Sequence, residues 1–104
     1  MRLEEAYRDI LRSLPPNFAE GNARLYPGYV LSEGLQNEDV RDLQTYLRGI
    51  AEYMGVIPII PVTGYFGTQT RDVVSALQAQ NGLPASGTVG SPTWNLIRRL
   101  YDAR

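Results

Sequence analysis

The chain has 104 residues, 43% hydrophobic and 20% charged, with a net charge of −1. That size holds one domain plus an appendage, not two independent cores. All ten basic residues are arginine and lie scattered along the chain, which argues against nucleic-acid binding, where cations gather on one face to displace counterions. Cysteine and histidine are both absent, excluding disulfides, thiolate metal sites, a cysteine nucleophile and the commonest general base and zinc ligand.

Leu3, Tyr7, Ile10, Leu11 and Leu14 recur at helical spacing, predicting a short amphipathic helix over 3–14 that Pro15 and Pro16 end. Glu4, Glu5 and Asp9 stand where a secretory signal would be apolar, so the stretch does not read as a signal peptide. From Asn17 to Gly34 periodicity fades and Gly, Pro and Asn accumulate, the composition of a linker or extended arm. The chain thus divides into an N-terminal helix and linker over 1–28 and a helical domain over 29–104.

Asn37 is placed to cap a helix over 38–54, with Glu38 and Asp39 at the favourable end of the helix dipole. Val40, Leu43, Leu47, Ile50 and Met54 form its stripe, and Gly55 is a plausible stop. The apolar run Val56 to Val62 is broken by Pro58 and Pro61, so it predicts an extended loop and falls short of the ~18 residues of a membrane span. A second helix is expected over 68–81, capped by Thr68 and carrying Val73, Val74 and Leu77. A third is expected over 91–101, starting at a Ser91 cap with Pro92 in its first turn, and burying Trp94, Ile97 and Leu100. Each is too short to be stable alone, so the three must share one core.

The most informative feature is an internal repeat. Thr63-Gly64-Tyr65-Phe66-Gly67-Thr68-Gln69-Thr70 recurs as Ser86-Gly87-Thr88-Val89-Gly90-Ser91-Pro92-Thr93. Each copy reads as a tight glycine turn, one apolar plug for the core, a second glycine and a helix start. Gln44 and Gln78 fall at matching places, where their amides would hydrogen-bond loop backbone and lock the turns.

At these residues a family resemblance emerges. Asp39-Val40-x-x-Leu43-Gln44-x-x-Leu47, Gly64-x-Phe66-Gly67-x-x-Thr70, Leu77-Gln78-x-x-Asn81-Gly82-Leu83 and Gly87-x-Val89-Gly90-x-x-Thr93-Trp94 follow the order of the peptidoglycan-binding domain family. The resemblance covers roughly residues 31 to 101. It implies an all-α three-helix bundle with an internal repeat. It also implies non-catalytic attachment to peptidoglycan outside the cytoplasm, as an auxiliary to a tethered hydrolase. The chain departs from the family in having Thr63-Gly64 and Ser86-Gly87 where Asp-Gly is usual, Leu77 where an aromatic is usual, and a longer stretch between Arg48 and Val62.

Phe66, Val89 and Trp94 are expected in the core, which turns Tyr65 outward as a candidate ligand contact. Arg71, which could clasp a stem-peptide carboxylate, and Asn81 are further candidates, with Thr63 where the family's aspartate would stand. No cofactor or metal is expected. Asp39 and Asp72 could be imagined as an acid–base pair, but helix-dipole placement explains both. An interaction module docking a protein through the 56–62 loop or the N-terminal helix is the rival function.

Overall fold

The computed structural model describes residues 23–103, whose three helices are α1 (Glu38–Met54), α2 (Thr68–Gln80) and α3 (Ser91–Asp102). The helix expected over 3–14 lies outside the described residues. Among the described residues there is no strand, only two isolated antiparallel bridges, so the fold is an all-α bundle.

α1 begins where its sequence says. Asn37 Oδ1 accepts from the Val40 amide at 2.9 Å, and Gly55 ends the helix by returning its N–H to Ala51 O at 3.0 Å. α1 packs against α3, and α2 closes the third side. Val40, Leu43, Leu47 and Ile50 from α1, Val73, Val74 and Leu77 from α2, and Trp94, Ile97 and Tyr101 from α3 are buried in one cluster. Phe66 and Val89 plug that core from the two repeat turns, both fully buried. Removing a buried ring such as Trp94 from such a core costs about 3–5 kcal/mol.

Two expected caps are corrected. Gly67 and Gly90, in extended conformation, are the N-caps of α2 and α3, and neither helix has a side-chain cap. Thr68 and Ser91 are the first helical residues instead. The Thr68 hydroxyl donates to Glu33 Oε2 at 3.0 Å, and Ser91 Oγ accepts weakly from Asn95 at 3.4 Å. A hydroxyl one residue inside the helix cannot turn back onto the second or third amide.

The stretch expected as a linker is extended from 23 to 36 but firmly packed. Leu31 exchanges both backbone hydrogen bonds with Val89, at 3.0 and 2.8 Å. Gly34 donates to Phe66 O and Phe66 to Leu35 O, each at 2.8 Å, and Asn37 donates to Gly64 O at 3.0 Å. One segment therefore threads past both repeat turns. Upstream, Trp94 Nε1 donates to Arg24 O at 2.8 Å and Arg98 Nε to Ala23 O at 3.1 Å, while the Ala23 amide donates to Asp102 at 2.8 Å. The Tyr46 hydroxyl accepts from the Arg24 amide at 3.1 Å, and the Tyr46 ring meets Trp94 edge-on at 5.9 Å.

Candidate functional site

The two repeat turns are built alike, each around a buried glutamine. Gln44 Oε1 accepts from the amides of Thr63 and Gly64, both at 2.8 Å, and its Nε2 donates to Tyr65 O at 2.8 Å and Thr70 Oγ1 at 3.1 Å. Gln78 Oε1 accepts from the Gly87 amide at 2.9 Å, and its Nε2 donates to Thr88 O and Thr93 Oγ1, each at 2.9 Å. The first glycine of each copy has the left-handed backbone these turns need, φ +85° at Gly64 and +76° at Gly87. Thr63 Oγ1 accepts from the Tyr65 amide at 3.1 Å, and Ser86 Oγ from the Thr88 amide at 3.3 Å. Each hydroxyl thus completes a local side-chain turn.

A shallow groove of about 250 Å³ opens beside the first turn. Its floor is Gln44 and Thr70, both buried, and one wall is Ile60 and Pro61. Thr63, Tyr65 and Gln69 form the rim, and Tyr65 is 48% exposed, outward as expected. The floor is chemically silent because its carboxamide is fully engaged with the turn.

The four residues singled out from the sequence do not meet. Thr63 and Tyr65 line the groove, whereas Asn81 lines a separate pocket of about 490 Å³ with Met54, Val56, Leu77 and Leu100. Asn81 Nδ2 donates to Leu77 O at 2.8 Å, closing the end of α2. Arg71 lines neither cavity. It pairs with Glu33 at 3.0 Å and Asp72 at 3.2 Å, and its stem lies under Gly87, where an added Cβ would come within 2.6 Å of Arg71 Cγ. Hydrogen bonding to Asp72 and the charge of Glu33 push the guanidinium pKa up, fixing it further in its charged form.

A second polar cluster lies where the arm meets α1. Arg24 pairs with Asp39 at 2.6 Å and Asp42 at 2.9 Å, and the Tyr29 hydroxyl donates to Asp39 at 2.6 Å. The Tyr29 bond, reinforced by Arg24, holds the Asp39 carboxyl below its ordinary pKa, while burial pushes Asp42 up. Asp39 is therefore a structural anion, held by the arm, and Asp72 is engaged by Arg71. Among the described residues no group of three or more acidic side chains is placed to hold a metal ion. No described helix is long and apolar enough to cross a membrane.

Residues 36–97, which hold both glutamine-clamped turns and the first half of α3, match the model of the peptidoglycan binding domain family. The chain belongs to that family. Over 72 residues it is 39% identical to the zinc D-Ala-D-Ala carboxypeptidase of Streptomyces albus G, a match covering 69% of this chain and 27% of that protein. In three dimensions it is similar to the SleB N-terminal domain, with a TM-score of 0.62 at 29% identity, covering 73% of this chain and 97% of that one.

In this peptidoglycan-binding domain, then, the Thr63 and Ser86 hydroxyls make the turn bond of each repeat. Glu33, Ile60, Pro61 and Gln69 were not singled out from the sequence. Ile60 and Pro61 sit in the apolar run already marked as a loop, whereas Glu33 gave no signal, since its partner Arg71 is 38 residues away.

Proposed function

We propose that this domain binds peptidoglycan without acting chemically on it, as an auxiliary module of a cell-wall hydrolase or related protein, at the cell wall and outside the cytoplasm. The observation that carries the reading is the groove beside the first turn: a rigid, hydrogen-bond-satisfied floor under an exposed Tyr65. Such a surface binds by contact and orientation and presents no activated nucleophile. The likeness to a 27% segment of a D-Ala-D-Ala carboxypeptidase supports a tethered arrangement. We place Tyr65 and Thr63 at the ligand, and Arg71 and Asn81 in the scaffold. We also begin the module at Ala23, before the division at residue 29, because Ala23 and Arg24 are bound to α1 and α3.

A groove this small buries little ligand surface, so a single muropeptide should bind at roughly millimolar strength, about −4 kcal/mol. A polymer raises retention through effective concentration. Co-sedimentation with purified insoluble peptidoglycan tests the reading. The parent should pellet, and Tyr65→Ala should remain largely in solution while melting within a few degrees of the parent. A parent that stays in the supernatant would overturn it.

One observation favours the second reading, a protein-interaction module. Tyr53, Val56 and Ile59 are exposed large apolar residues near the end of α1 and in the loop after it, and Val56 also lines the larger pocket. Under that reading Val56→Ser and Ile59→Ser abolish capture of a protein partner, and Tyr65→Ala does not.

A further inference from the structure

The groove beside Tyr65 has no charged residue in its lining. Ile60 and Pro61 give it an apolar wall, and the Tyr65 hydroxyl and Gln69 carboxamide stand at its rim without hydrogen-bond partners among the described residues. Beside the uncapped first turn of α2, where an anion would be welcomed, Glu33 already stands. Its carboxylate accepts from the Thr68 hydroxyl and from Arg71, each at 3.0 Å. A second carboxylate there would meet like charge.

The neighbouring cations are committed as well. Arg71 is shared between Glu33 and Asp72, and Arg41 donates to Thr63 O at 3.3 Å while facing Glu38 at 3.7 Å. Peptidoglycan offers two chemistries: stem peptides bearing free carboxylates, and a glycan of uncharged N-acetylated amino sugars. An aromatic face, an apolar wall for an acetamido methyl and a free carboxamide match the second, and the lining offers a carboxylate no cation to pair with.

Resting on the peptidoglycan-binding reading, we infer that this groove takes an N-acetylhexosamine unit of the glycan strand and not the stem peptide. A pocket of about 250 Å³ lies below the roughly 300–1,000 Å³ of drug-sized ligand sites, in keeping with one ring and not a chain. Tyr65 supplies the stacking face, Gln69 the donor and acceptor for the acetamide or a ring hydroxyl, and Glu33 excludes anionic ligands.

The test is release of the chain from insoluble peptidoglycan by soluble competitors, with side-chain amide NMR on Gln69. An N-acetylglucosamine tetramer should release the chain and shift the Gln69 amide signals. The de-N-acetylated tetramer and the free stem peptide should do neither. Tyr65→Ala and Gln69→Ala should each weaken tetramer binding by about tenfold, or 1.4 kcal/mol, while Tyr65→Phe stays close to the parent. Release by the stem peptide, or by neither probe, overturns the inference and leaves peptidoglycan binding standing. Failure to pellet with peptidoglycan at all overturns the underlying reading instead.

Discussion

Gln44 and Gln78 hold equivalent places in the two halves of the repeat, each accepting from the amide of a left-handed glycine and donating to a buried threonine hydroxyl. Gly64 and Thr70 serve Gln44 at 2.8 and 3.1 Å, and Gly87 and Thr93 serve Gln78 at 2.9 Å each. Leucine at either position fills the volume but strands several buried groups, at about 1–3 kcal/mol each. Gln44→Leu and Gln78→Leu should therefore each lose at least about 2 kcal/mol in urea unfolding. A loss below about 0.5 kcal/mol would show that water replaces the clamp.

Gly82 and Gly87 share a φ of +76°, so alanine at either strains the backbone equally, by about 1 kcal/mol. They differ in surroundings. A Cβ at Gly82 meets nothing within 4 Å, whereas at Gly87 it comes within 2.6 Å of Arg71 Cγ. Gly87→Ala should cost clearly more than Gly82→Ala, and Arg71→Ala should recover part of the excess in a double-mutant cycle. Equal costs would rule out the contact.

Asn37 caps α1 through its side chain, and Ser91 caps nothing. Asn37→Ala should cost about 1 kcal/mol. Ser91→Ala should stay within about 0.5 kcal/mol of the parent, as at an ordinary surface position. Thermal melts of the two variants decide this, and the reverse order would restore Ser91 as a cap.

Asp39 and Asp42 share Arg24 but have opposite pH linkage. The Tyr29 hydroxyl and Arg24 lower the folded pKa of Asp39. Its contribution is complete above the unfolded value of about 3.9 and is lost as pH falls through the folded one. Asp42 is pushed up by burial, so its ionisation costs stability at neutral pH and acid relieves that cost. Asp39→Asn should destabilise the domain at neutral pH and flatten its loss of stability below about pH 4, whereas Asp42→Asn should cost less at neutral pH. Urea midpoints measured from pH 2 to 7 check both signs, and parallel curves for Asp39→Asn and the parent would refute the linkage.

What the sequence disclosed and what it hid separate along physical lines. α1 was legible to the residue because Asn37 and the Glu38–Asp39 pair mark its start with side-chain chemistry and Gly55 marks its end with a left-handed backbone that glycine adopts freely. The glutamine clamps were legible because the repeat placed Gln44 and Gln78 in register. Thr68 and Ser91 misled because a hydroxyl after glycine looks like a cap, while the caps are glycines that use no side chain. The arm from 23 to 36 was hidden because it is tied to the repeat turns by main-chain hydrogen bonds, which leave no periodicity in the residues that make them, and because the partners of Arg24, Tyr29 and Glu33 lie far along the chain. Arg71 looked available because its partner Glu33 lies far away in sequence.

That arm changes what the repeat means for folding. Stacked repeat proteins gain stability additively, and one end can melt while the other persists. Here Leu31 is bonded to Val89 in one half, and Gly34, Leu35 and Asn37 are bonded to Phe66 and Gly64 in the other. Neither half can open without releasing the same short segment, so a duplicated sequence behaves as one cooperative unit. The amide protons of Phe66 and Val89 should exchange together, only on global unfolding.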